Sequence, residues 1–271
     1  MKITDYPVIS KFTDDNVILV DGNNGTKIIP VADAIMAALH LMSPNNHRLV
    51  FRGKNLGSVV TSEQLAAIQA GTFEGLWLGD YWVINGITWR IADFDYWYGK
   101  GDTKCTKHHV VIIPDKSIST IKMNTSATTD GGYIGSQAYT TNLVTAKQAA
   151  SNSFGDAIIS HRAYFSNAVS SGVPSNGAWC DSTVDLPNEY MMYGHSHFGK
   201  PNSLTNTGTY DTSDTVQLAL MAACPEYITS DSTWLRDVVS DSRFAVAHVL
   251  GAFFCCNADW DSGARPVFAI G

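Results

Sequence analysis

Two β-rich runs, residues 76–84 and 87–92, are joined at Asn85-Gly86. Asn-Gly between such runs is the strongest short-range hairpin signal, because both central residues of the tightest turn need positive φ. A third short apolar strand follows at residues 109–113 and stops at Pro114. The middle of the chain then changes character. Residues 143–150 carry helical spacing, as do Arg162, Phe165, Ala168 and Val169 before Ser170-Ser171-Gly172. Residues 184–193 and 216–223 read as further short helices, and residues 234–270 return to strands. A hairpin, then helices with long polar loops, then a terminal set of strands is an α+β layout and excludes a doubly wound sheet.

Residues 1–60 read as a separate module within the 271-residue chain. The apolar run 16–20, the turn Asp21-Gly22-Asn23-Asn24-Gly25 and the run 26–29 predict a hairpin with a glycine-rich loop. Pro30 then opens a helix with Val31, Ile35, Ala38, Leu39 and Met42 on one face, stopped by Ser43-Pro44-Asn45-Asn46. A module this small cannot cover that face alone, so self-association through it is expected. Thr61-Ser62-Glu63-Gln64 is a capping box, and Gly71 closes a connector helix over residues 61–71. A larger domain is expected over residues 72–271.

The composition excludes several classes. Hydrophobic residues at 45% against 16% charged can bury a core, so long disorder is not expected. The net charge is −7 and no two Lys or Arg residues are adjacent, which argues against nucleic acid as the partner. No basic segment followed by an apolar stretch opens the chain, and no run approaches a membrane span, so neither a signal peptide nor membrane insertion is expected. Cys105, Cys180, Cys224, Cys255 and Cys256 form an odd set with no CxxC spacing, which fits reduced thiols in a protein made in the cytoplasm.

Candidate chemistry is sparse. His195-x-His197 could meet one metal from a strand, and His108-His109 places its rings on opposite faces; neither has a further ligand at zinc spacing. Pro187-Asn188-Glu189 and Asp259-Trp260-Asp261 carry carboxylates and amides but no converging calcium set. Asp93 and Asp95 could share a strand face as a glycosidase pair. There is no nucleophile elbow, dinucleotide fingerprint or phosphate loop. No cofactor and no metal are expected, and the chain reads as non-enzymatic. Arg236 and Arg265 sit beside apolar strand residues, where an arginine serves as an ion-pair or carbonyl-binding hub.

Five blocks resemble a family of phage and prophage tail proteins: GTFEGLWLGDYWVINGITWRIADFDYW (71–97), HHVVIIPDKS (108–117), TTDGGYIGSQAYTTN (128–142), NGAWCDSTVDLPNEYMMYG (176–194) and the stretch from STWLRDVVS to GARPVFAIG (232–271). DYPVISKFTDDNVILVDGNNGTKIIPVADA and FRGKNLGSVVTSEQLAAIQAGTF resemble that family's leader. The terminal WLR and GxRPxF arrangement is similar to the closing strands of C-type-lectin-fold proteins, including variable proteins diversified by retroelements. The resemblance implies a C-type-lectin-like domain, host attachment, a homotrimer, and a virion location after synthesis in the host cytoplasm. It also implies a bacterial cell-surface protein or glycan, and other virion proteins, as partners. Formylglycine-generating oxidases share a related fold but need a cysteine pair, for which adjacent Cys255-Cys256 is poor geometry.

In such relatives the stretch between Phe244 and Gly263 is rich in Asn, Ser and Tyr. Here His248, Leu250, Ala252, Phe254, Cys256, Asn257 and Trp260 fall where Asn is expected. Both adenine-directed diversification and drift into a buried strand leave that pattern. Period-2 alternation places Phe244, Val246, His248 and Leu250 on one face and Ala245, Ala247 and Val249 on the other. Both faces are apolar, so the strand is buried on both sides or presents a binding patch. Asp259 and Asp261 beside Trp260 favour exposure. The expected ligand-binding residues are therefore His248, Leu250, Ala252, Phe254, Cys256, Asn257, Asp259 and Trp260. Two competitors are a structural virion component with this segment buried between subunits, and a cell-wall-active enzyme using Asp93 and Asp95.

Overall fold

A computed structural model describes residues 17–20, 27–31, 34, 46–165, 167, 169–170, 173–174, 177–198, 216–251 and 253–271. The chain is α+β and divides into two units, Met1–Asn46 and His47–Gly271. In the first, β1 (Val17–Val20) pairs antiparallel with β2 (Lys27–Pro30), in the register Val17↔Pro30 to Val20↔Lys27. Val31 and Ala34 are helical; Ile35, Ala38, Leu39 and Met42 lie outside the described residues.

The division corrects the expected boundary at residue 60. Residues 47–60 belong to the second unit because their main chain runs parallel to residues 78–83: Arg52 N donates to Leu78 O at 2.9 Å and Tyr81 N to Lys54 O at 2.9 Å. Two charges anchor the segment. Arg48 pairs with the fully buried Asp93, and Arg52 with Asp80. The helix Ser62–Gln69 follows with the expected capping box: Gln64 N donates to Thr61 Oγ1 and Thr61 N to Gln64 Oε1. That same Gln64 oxygen accepts from Trp82 Nε1 at 3.0 Å, and Ile68 is fully buried, so the helix is docked in this unit.

Sheet one begins with the Asn-Gly hairpin. β3 (Tyr81–Ile84) and β4 (Ile87–Phe94) turn at Asn85 and Gly86, both at positive φ, which sets Trp82 opposite Trp89. β5 (Val110–Pro114) is buried along its whole length, as a strand covered on both faces requires. In the sheet order β3-β4-β5-β16-β7, the last strand β16 (Phe268–Ile270) lies between β5 and β7 (Ile158–Ile159).

Sheet two has the order β14-β13-β12-β15-β6. It comprises β6 (Ser119–Ile121), β12 (Thr233–Val238), β13 (Arg243–Ala247), β14 (Phe253–Asn257) and β15 (Ser262–Ala264). Only β12 and β15 run parallel. At Gly263 a Cβ would stand 2.7 Å from the carbonyl of Ser232, so the close approach of these strands requires glycine.

The expected helix through Arg162 and Val169 is instead strand. β8 (His161–Phe165) pairs with β11 (Ala178–Ser182), and β9 (Val169–Ser170) with β10 (Val173–Pro174). His161, Ala163 and Phe165 are buried while Arg162 and Tyr164 are not, so period 2 prevails over the competing period of 3.6. The helix read at residues 143–150 runs further, over Val144–Phe154, whereas those read at 184–193 and 216–223 are shorter. Asn188 caps Glu189–Tyr193 directly after Pro187, and Ala219–Ala223 forms the next. Two apolar clusters fill the unit, one around sheet one and the other around Trp234, Phe244 and Val246.

Candidate functional site

β13 lies between the two clusters. Phe244 and Val246 enter one, Ala245 and Ala247 the other, so this strand is buried on both sides. Beyond it the environment reverses. Val249 and Leu250 are exposed, Leu250 by 81%, in a turn where Gly251 N donates to His248 O at 2.8 Å. Gly251 takes φ 73°, and β14 returns as an edge strand among the described residues, with Val246↔Phe254, Phe244↔Cys256 and Arg243↔Asn257 opposed.

The turn after β14 is held from inside. Ala258 is fully buried; its N–H donates to Ser242 O at 2.8 Å and its carbonyl accepts from Asn124 N at 2.8 Å. Trp260 N donates to Asn257 O at 3.0 Å. With the turn pinned at Ala258, Trp260 is left 54% exposed, and Phe254 on the edge strand is 41% exposed. Exposed large aromatics on a strand edge are the kind of surface that recognition sites use.

Phe254, Cys255, Cys256 and Asn257 line a hollow of about 300 Å³, which Trp260, Arg243 and Phe198 complete. Arg243 Nε donates to Asn257 Oδ1 at 3.2 Å, which orients the amide so that its nitrogen is the group left to donate. Burial, and then the neighbouring Cys255, push the Cys256 thiol upward, against Arg243. Phe198 is placed by a carboxylate. Buried Glu189 accepts from Phe198 N at 3.1 Å, His197 N at 3.2 Å and Ser196 Oγ at 3.1 Å. Glu189 N in turn donates to Asp237 Oδ2 on β12 at 2.7 Å. Burial and the Glu189 charge, against Arg236, push the Asp237 carboxyl up to about 7.

Of the eight residues named from sequence, Phe254, Cys256, Asn257 and Trp260 meet at this hollow. His248 stands beside it, its ring centroid 5.1 Å from that of Phe254. Leu250 occupies the turn tip, away from the lining. Asp259 is half-buried with Oδ1 enclosed and without a hydrogen-bond partner among the described residues, and Ala252 lies outside them. Arg243, Cys255 and Phe198 were missed. Strand register alone would have found Arg243, since it opens β13 opposite Asn257; nothing local marks Phe198.

The other candidate constellations take separate places. Asp93 is fully buried, with Arg48 and the Ala219 and Phe94 amides on its oxygens, and burial raises its pKa against that arginine. Asp95 instead accepts from His109 N and pairs with His108 at 2.7 Å, so the two aspartates do not share a site. Asn188 and Glu189 are used as a helix cap and a loop anchor. Arg265 is buried and donates to the carbonyls of Pro114 and Tyr227, as a structural hub does. Arg236 lies over the Phe165 ring at 4.7 Å. Among the described residues no three His, Cys, Asp or Glu side chains gather as a metal set, and no helix is long and apolar enough to cross a membrane. Neither protein-family models, nor curated proteins, nor solved structures match this chain.

Proposed function

We propose that the chain is a non-enzymatic phage tail or host-attachment protein that recognises a bacterial surface ligand with the β14 edge and the turn after it. The resemblance of the five sequence blocks to phage tail proteins supports this reading, and so does the similarity of the terminal WLR and GxRPxF sequence to the closing strands of C-type-lectin-fold proteins. The observation that carries it is the contrast inside one short stretch: β13 is enclosed on both faces, whereas Phe254 and Trp260 open to solvent around one hollow. A core strand needs no such aromatic rim, and hot spots of recognition surfaces are built from one. On this reading the leader serves attachment to other virion proteins and trimer formation, and the closing strands are the place where diversification would alter specificity.

Exposure of Val249 and Leu250 favours one second reading, a structural virion component in which this edge is covered by another subunit. Binding of the labelled full chain to a panel of bacterial strains separates the two. Saturable binding that Phe254→Ala abolishes supports attachment; absence of binding to any strain supports the structural reading.

A further inference from the structure

Among the described residues, the charge that borders the hollow has no counter-ion. Arg48, Arg52, Arg90 and Arg162 each hold an aspartate, in every case through two nitrogens or with a second carboxylate. Arg243 is exposed and, among the described residues, meets only the amide oxygen of Asn257. Among the described residues it is also the only charged one of the lining: Asp259 and Asp261 flank Trp260 in sequence but do not line the hollow. A guanidinium uses its planar fork best on a carboxylate, which accepts two parallel N–H bonds.

The remaining walls narrow the class further. Trp260 and Phe254 offer apolar ring faces against which the C–H face of a sugar ring can pack. The Asn257 amide, oriented by Arg243, can donate to a ring hydroxyl. At about 300 Å³ the hollow is at the small end of ligand sites, which suits one sugar residue of a surface polymer.

We propose that the β14 hollow takes an acidic sugar residue of a bacterial surface glycan, its carboxylate on Arg243, its ring on Trp260 and a hydroxyl on Asn257. This rests on the attachment reading and gives its ligand a chemical class. Because the contact is a single exposed charge pair, affinity for one residue is weak and falls as salt rises.

The test is calorimetric titration of the full chain with glucuronic acid, its methyl ester and a tetraglutamate peptide, with adsorption to bacterial cells measured in parallel. Glucuronic acid is expected to bind about tenfold more tightly than its ester, and Arg243→Gln to erase that preference. Arg243→Lys keeps the charge but not the fork, and is expected to bind between the two. Absence of glucuronate binding, equal binding of acid and ester, or tighter binding of the peptide overturns the proposal. Adsorption keeps the two levels apart. If Trp260→Ala stops adsorption and Arg243→Gln leaves it unchanged, the attachment face stands and the acidic class falls. If Trp260→Ala adsorbs normally, the attachment face falls as well.

Discussion

Ala258 and Trp260, two residues apart in one turn, occupy opposite environments: Ala258 is fully enclosed and Trp260 is 54% exposed. The main-chain bonds from Ala258 to Ser242 and Asn124 make that contrast part of the fold. Trp234 is the counter-example in the same sheet, fully buried with Nε1 donating to Ile121 O at 2.9 Å.

Truncation should therefore separate the two tryptophans. Trp234→Ala is expected to cost about 3–5 kcal/mol of folding stability, as large core deletions do, and Trp260→Ala less than about 1 kcal/mol, as exposed positions do. Urea unfolding of both variants measures this. A Trp260→Ala loss as large as that of Trp234→Ala contradicts the solvent-facing turn.

Two desolvated groups set opposite pH slopes. The Asp237 carboxyl is raised from 3.8 to about 7 in the folded chain, so the fold retains a proton that the unfolded chain releases between those values. Its contribution is complete below about pH 4, declines as pH rises and levels off above about 7. His161 is stacked on Trp97 with neither ring nitrogen partnered among the described residues, and burial holds it well below 6.5. Only the unfolded chain takes up that proton, so stability falls as pH drops below about 6.5. In melting curves over pH 4–9, Asp237→Asn is expected to flatten the upper slope and His161→Phe the lower one. Profiles parallel to wild type in both variants contradict these assignments.

The strand hairpin at Asn85-Gly86, the capping box at Thr61 and the α+β order were legible because each is written in local chemistry. What could not be read depends on partners far along the chain. Arg162 and Val169 match a helical period, and only the pairing of β8 with residues 178–182 makes the first part of that run a strand. Residues 47–60 joined the leader on paper because their partners, Asp80 and Asp93, lie 28 and 45 residues on. Half of the named site was legible for a related reason: alternation puts Phe254 and Cys256 on one face, whereas Phe198 reaches the hollow only through the Glu189 carboxylate.

The leader carries the proposed assembly. Full-length chain is expected to scatter light as a trimer, and a chain beginning at His47 as a monomer, because the apolar helix expected after Pro30 has been removed. A trimer in both samples would place the contact elsewhere, and a monomeric full-length chain would remove the trimer altogether.

The attachment face itself is tested most directly by adsorption and melting temperature measured together on Trp260→Ala and Phe254→Ala. The expected result is a loss of binding on the order of 2 kcal/mol, about thirtyfold, with a melting temperature close to wild type. Variants that melt early, or that melt normally and adsorb as well as wild type, contradict a ligand-binding role for the β14 edge.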